Sequence, residues 1–251
     1  MVNDCIIIGG GSSIRPNRII PIEELDVWKK IKHSFTIGTN FTYKWFIPTV
    51  QMFGDHQFYY ALQNELSQLP LVIGNKDRKF YKAGNKRVSP NTHLIIGSRI
   101  YNGIDSIRKG LYCYQLIGMA AISFAIGLQC KNIYLLGYDC CAINGHTHFY
   151  SMEEGSYTYN NIKRTGIGQF FNERLKKIVY RSQPYDDIDR LNNYWFAPFK
   201  QALNEGINIF NVSEQSVLNV FPKINYDEFY KKIALINHQQ NEIRQFIKER
   251  L

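Results

Sequence analysis

With 251 residues, 45% of them hydrophobic, the chain can close a substantial core around one large domain, which excludes a disordered or fibrous protein. A formal net charge of +9 points toward anionic partners: nucleotides, nucleic acid or acidic headgroups. Five cysteines, Cys5, Cys113, Cys130, Cys140 and Cys141, form an odd set without metal-ligand spacing, which suits a reducing cytoplasm, and no segment reaches the ~20 apolar residues that a membrane span needs.

The first element is the apolar run Cys5 to Ile8, which reads as a buried parallel strand and stops at Gly9-Gly10-Gly11-Ser12-Ser13. A helix is expected from Pro21, with Leu25, Trp28 and Ile31 on one face, and then a strand from Ser34 to Ile37 closed by Gly38, so the unit is a βαβ crossover. The theme repeats. Thr49 to Phe53 precedes Gly54-Asp55-His56 and a helix reaching Leu66; Leu71 to Ile73 ends at Gly74; His93 to Ile96 ends at Gly97. A long helix from Gly110 to Gly127 feeds the strand Asn132 to Leu136, which stops at Gly137-Tyr138-Asp139. Beyond it the chain turns aromatic, polar and glycine-bearing without a period, as a lid would. A helix from Asn193 to Glu205, a strand from Ile207 to Asn211 and a charged helix from Tyr226 to Leu251 follow. The expected fold is α/β, a Rossmann-like, mostly parallel sheet flanked by helices: a nucleotide-binding core over 1–139, a lid-like insertion over 140–192, and the rest of the core over 193–251.

In such sheets the ligand lies beyond the carboxyl ends of the strands, so the residues there are the candidates. The glycine turn can offer unpaired amides to a phosphate. It has neither the third glycine of a dinucleotide fingerprint nor a P-loop lysine, which disfavours both of those functions. Asn40, Asp55 and Asp139 close successive strands, where each could equally cap a helix or a turn. His146 and His148, in NGHTHFY, are the candidate general bases, and no second Cys or His pair completes a zinc site around them. The run Asp186-Asp187-Ile188-Asp189 contains a DxD, a metal-binding pattern that is also common in solvated loops. At 75–87, Lys76, Arg78, Lys79, Lys82, Lys86 and Arg87 face only Asp77, which reads as a solvated hairpin or as a patch for an anionic acceptor.

The order IIIGGGSS, TIGTN, a strand ending in GD, a long helix feeding KNIYLLGYD, and ALNEGINIFNVSEQSVLNVFPKI resembles a Rossmann-like superfamily with two branches. One holds the bacterial sialyltransferases of glycosyltransferase family 42, the other the 6-hydroxymethylpterin diphosphokinase-like proteins. Over roughly residues 4–224 the chain is most similar to bacteriophage-encoded members, in which GYD precedes a segment like GHTHFYS. The resemblance implies nucleotide contacts from Gly9, Gly10, Gly11, Ser12, Ser13 and Asn40, a donor-facing Asp55, and a site edge at Gly137, Tyr138 and Asp139. An acid at Asp55 is closer to the diphosphokinase branch, which uses magnesium. Two positions depart from the family: Gln115-Leu116 replaces a Ser-Gly pair, and residues 189–193, where a catalytic histidine would fall, contain none.

The expected activity is therefore glycosyl transfer from a nucleotide-activated sugar to an acceptor hydroxyl. His148 or His146 would be the base, Asp55 a further catalytic candidate, magnesium would sit on Asp55 or Asp139, and Lys76, Arg78, Lys79, Lys82 and Arg87 would face an anionic acceptor such as modified DNA. A cytoplasmic location is expected, that of the host if the chain is phage-encoded. Two readings stay open beside it: a diphosphokinase-like phosphotransferase acting on a heterocyclic alcohol, and a non-enzymatic nucleotide- or nucleic-acid-binding protein.

Overall fold

Strand β1 (Asp4–Ile8) sends alternate side chains into two different cores. Ile7 packs with Ile37, Met52, Ile133 and Leu135, whereas Ile6 and Ile8 pack with Tyr134 and Leu136. A strand buried on both faces belongs at the centre of a sheet covered on both sides, which is why it reads as an unbroken apolar run. The computed structural model describes residues 3–15, 17–54, 56–76, 88–113, 116–146, 148–150 and 187–251. Asp55, Arg78, Lys79, Lys82, Arg87, Asp186 and most of the expected lid lie outside them, as does the side chain of Lys76.

Seven further strands complete the sheet: β2 (Thr36–Thr39), β3 (Val50–Phe53), β4 (Val72–Lys76), β5 (Thr92–Ser98), β6 (Leu111–Tyr112), β7 (Asn132–Leu136) and β8 (Asn208–Asn211). Their order is β6-β5-β4-β3-β2-β1-β7-β8, and every pairing is parallel. The α/β architecture expected from the sequence is thus the one found. The chain winds outward from β1 to β6 and then returns to the other flank of β1 as β7, with Ile7 opposite Ile37 on one side and Leu135 on the other. The winding therefore reverses between β1 and β7, the kind of place where open α/β sheets leave a crevice for ligand.

Helices cover both faces. α1 (Asp26–Ile31) brings Val27, Trp28 and Ile31 onto the Ile6/Ile8 face, while α2 (His56–Leu66) packs near the β3–β4 end of the sheet. α3 (Ser106–Lys109) is one turn, and α4 (Ile117–Gly127) is apolar all round, with Met119 to Ile126 wholly enclosed on the Ile7 face. α5 (Lys200–Asn204), α6 (Tyr226–Ile233) and α7 (Gln240–Lys248) follow later in the chain, α6 on the Ile6/Ile8 face and α7 on the other.

Three expected helices differ. The one expected from Gly110 starts at Ile117, because Leu111 and Tyr112 instead pair with Gly97 and Ser98 as β6, and Gly110 enters that strand at φ +118°. The helix expected over 193–205 breaks into a π turn (Leu191–Trp195), a 3-10 turn (Ala197–Phe199) and α5, around Pro198, which has no amide to donate. The C-terminal helix is two helices, separated where Leu235 stands 97% exposed and the His238 amide leaves helical pairing for His33 O at 2.8 Å.

Candidate functional site

At the end of β1 the glycine turn lies against the end of β7. Gly9 N donates to Leu136 O and Gly11 N to Gly137 O, both at 2.8 Å. Ser13 is held by Asp139 twice, N to Oδ2 at 2.8 Å and Oγ to Oδ1 at 2.5 Å, and Asp139 is only 1% exposed. The glycines are dictated by this contact: a Cβ on Gly9 would lie 2.6 Å from Gly137 O, and one on Gly11 2.6 Å from both Gly137 O and Asp139 Oδ2. Gly137 has its own reason, a φ of +66° that brings its carbonyl onto the turn. Gly10 and Ser12 are the turn residues whose amides make no hydrogen bond among the described residues.

The GYD end is braced from below. Tyr138 is 5% exposed, its ring lies against Gly9 and Gly118, and its hydroxyl donates to Gly118 O at 3.0 Å. Its carbonyl accepts from Ser216 Oγ at 2.7 Å and Asn211 Nδ2 at 3.2 Å, while Asp139 O accepts from Val217 N at 3.0 Å. Asn192, in the stretch where the family resemblance places a histidine, bridges this same loop, donating to Val217 O at 2.9 Å and accepting from Asn219 N at 2.6 Å.

His146 and residues 148–150 lie against the turn. Phe149 is their anchor: wholly buried, edge-on to Trp28 and Trp45, with its amide donating to Gly10 O at 2.9 Å. That anchor sets His148 and Tyr150 over Gly10, where a Cβ would meet His148 Cδ2 at 2.8 Å and the Tyr150 hydroxyl at 3.1 Å. Tyr150 stacks on Trp45, ring centroids 5.4 Å apart. The His146 carbonyl accepts from Ser12 Oγ at 2.8 Å. Burial pulls the His148 pKa below the usual imidazole value, and the Asp139 charge only partly opposes it, so the ring is neutral and able to accept a proton at neutral pH.

On the other flank of β1, Thr39 Oγ1 donates to Ile8 O at 3.0 Å and pins the end of β2 to the turn. Asn40 follows at φ +52°, its amide donating to Met52 O at 3.2 Å and its carbonyl accepting from Gln51 Nε2 at 2.9 Å. The ends of β1, β2 and β7 thus lie side by side, with residues 148–150 as a cover over the glycine turn.

No protein-family model matches this sequence, and no curated protein does. Solved structures do resemble the fold. The sialyltransferase CstII from Campylobacter jejuni in complex with the substrate analogue CMP-3FNeuAc matches with a TM-score of 0.46 at 16% identity, over 88% of this chain and 86% of that one. A variant of the sialyltransferase CST-II in complex with CMP gives 0.49 at 17% identity, over 94% and 100%. CST-II in complex with a trisaccharide acceptor and CMP gives 0.45 at 14%, over 92% and 98%. At these identities the likeness is one of chain arrangement.

The sequence-derived candidates divide into two groups. Gly10, Ser12, Asn40, His146 and His148 stand in the glycine turn, at the end of β2 or against the turn. Gly9, Gly11, Gly137, Tyr138, Asp139 and the Ser13 side chain build it: their polar groups and close contacts face one another. Both Asp139 carboxylate oxygens accept from Ser13, so this side chain positions the turn. Asp187 caps the turn that begins at Ile188, accepting from Arg190 N at 2.8 Å, so the described part of the DxD run is local scaffolding. Among the described residues no group of three or more His, Cys, Asp or Glu side chains gathers, and no helix is long and apolar enough to cross a membrane. Sequence reading missed Arg15 and Arg18, which hold the loop after the turn: Arg15 donates to Ile20 O and Arg18 O, and Arg18 to His148 O at 2.8 Å. Their visible signal was two cations placed directly after a glycine-serine turn.

Proposed function

We propose that this protein transfers a sugar from a nucleotide-activated donor to an acceptor hydroxyl, with the donor phosphate on the glycine turn. The observation that carries the reading is the convergence of Gly10 and Ser12 amides, Asn40 and a neutral His148 at the switch point between β1 and β7. Turn amides oriented by the protein's own contacts need little reorganisation as negative charge grows on a leaving phosphate. His148, in the cover above Gly10, would take the proton of the acceptor hydroxyl as its oxygen bonds to the anomeric carbon and the phosphate oxygen departs. The resemblance of the sequence to the family 42 sialyltransferases supports the same class. The basic run at 76–87 suits an anionic acceptor, DNA being one to test.

The test is a panel of CMP-, UDP-, GDP- and dTDP-activated sugars, with release of free nucleotide followed alone and in the presence of oligosaccharide or DNA acceptors. Release from one donor class, greatly reduced in H148Q, is expected. Absence of both release and thermal stabilisation with every donor refutes the reading. Consumption of ATP with formation of AMP on a hydroxymethyl heterocycle would replace it with pyrophosphoryl transfer.

A further inference from the structure

We infer that Arg15 meets the negative charge of a phosphate bound at the glycine turn, an assignment that rests on the turn being a ligand site. Arg15 is 7% exposed. Its guanidinium donates from Nε to Ile20 O and from Nη2 to Arg18 O, each at 2.9 Å. Both acceptors are carbonyls, which satisfy hydrogen bonds without neutralising charge. The ion pairs among the described residues are Lys44–Glu65, Arg108–Asp105 and Lys109–Asp105, so Arg15 has no carboxylate among them. The carboxylate nearest in the hydrogen-bond network, Asp139, is bonded through both oxygens to Ser13. A guanidinium withdrawn from water with no counter-charge is costly, and a protein that keeps one next to a crevice commonly reserves it for an anion.

The geometry also leaves an edge that fits a phosphate. Nε and the adjacent Nη2 proton form the side edge of the guanidinium, and the loop carbonyls occupy that edge. Its end edge, Nη1 with the second Nη2 proton, remains as a pair of parallel donors suited to two oxygens of one phosphate. Arg15 sits on the turn itself, its amide donating to Ser12 O at 3.0 Å, a residue whose own amide is unpaired among the described residues. The loop that it grips is tied to the cover through Arg18 and His148 O, so Arg15, the Gly10 and Ser12 carbonyls and the cover are parts of one hydrogen-bonded unit.

The experiment uses the full chain, with calorimetry and thermal shift at constant ionic strength set by chloride. The probes are inorganic phosphate, pyrophosphate, CMP and UMP, with cytidine and uridine as uncharged controls. Wild type is expected to bind the phosphate-bearing probes, R15Q to bind them at least tenfold more weakly, R15K to fall between, and nucleoside binding to be the same in all three. A loop-shaping role alone would lower the melting temperature of R15Q and leave its phosphate affinity within twofold of wild type, and that result overturns the assignment. If R15Q does not fold, R15K decides: phosphate affinity equal to wild type overturns it. Wild type that responds to no phosphate-bearing probe overturns it as well. Arg15-dependent binding of inorganic phosphate without binding of any nucleotide supports Arg15 and sinks the glycosyl-transfer reading, so the two failures are distinguishable.

Discussion

Replacing Asp139 by alanine is expected to destabilise the protein through one local event, the release of Ser13. Asp139 is 1% exposed and accepts from the Ser13 amide at 2.8 Å and the Ser13 hydroxyl at 2.5 Å. An unsatisfied buried donor costs about 1–3 kcal/mol, so two give at most about 2–6 kcal/mol for D139A, Ser13 being part-buried. D139N retains an oxygen for the Ser13 amide and an NH2 group that can donate to Ser13 Oγ. It gives up only charge assistance, about 1 kcal/mol. S13A removes one of the two bonds and should cost about 1–2 kcal/mol, and D139A should be milder in the S13A background because one donor is already gone. Urea unfolding followed by tryptophan fluorescence measures all four. A D139A shift below about 0.5 kcal/mol, typical of a surface change, would refute the claim that this carboxylate builds the turn, as would D139N proving as harmful as D139A.

Alanine at Gly11 drives a methyl into Gly137 O and Asp139 Oδ2, which have little room to give, and is expected to cost about 1–3 kcal/mol in urea unfolding. Alanine at Gly10 meets side chains of the cover instead, so G10A should melt close to wild type while losing most donor turnover in the nucleotide-release assay. Burial lowers the pKa of His148 and of His93, the latter also through Lys248, so below about pH 6.5 the unfolded chain binds protons that the folded one resists. Stability is then full above that pH and falls as the pH drops through the lowered values; H148Q should make the fall shallower, and an unchanged slope between pH 7 and 5 would contradict the assignment. Asn211 is wholly buried and donates to Tyr138 O and Ser216 Oγ, so N211A should cost about 1–3 kcal/mol and weaken donor binding by loosening the GYD loop.

The sheet was readable because its central strands β1, β2, β3 and β7 are buried on both faces and so appear as apolar runs, although β4 and β5 run on through Gly74 and Gly97, where the sequence placed their ends. β6 was not: two residues paired at an edge leave no period, and Leu111-Tyr112 were absorbed into the helix that follows. The turn was legible as a glycine cluster but not in its purpose, since a glycine that admits a phosphate and one that admits Gly137 O look alike in sequence. Asp139 was found as the end of β7 but its bond to Ser13 was not, because the two stand 126 positions apart. Arg15 went unread for a related reason: a cation in a loop is ordinarily solvated, and only the fold shows that this one is enclosed without a carboxylate partner among the described residues.

The pairing of β1 with β7 has a consequence for how the molecule is made. As the chain leaves the ribosome, the glycine turn emerges well before the carbonyls of Leu136 and Gly137 and the carboxylate of Asp139, which follows Ser13 by 126 positions. Through that interval the central strand lacks a neighbour on one side and the turn has nothing to fold against. Long-range pairings of this kind form late, after shorter loops have closed. The crevice is thus a product of completion: a nascent chain that stalls before β7 can assemble the outer strands and still have no place for a ligand.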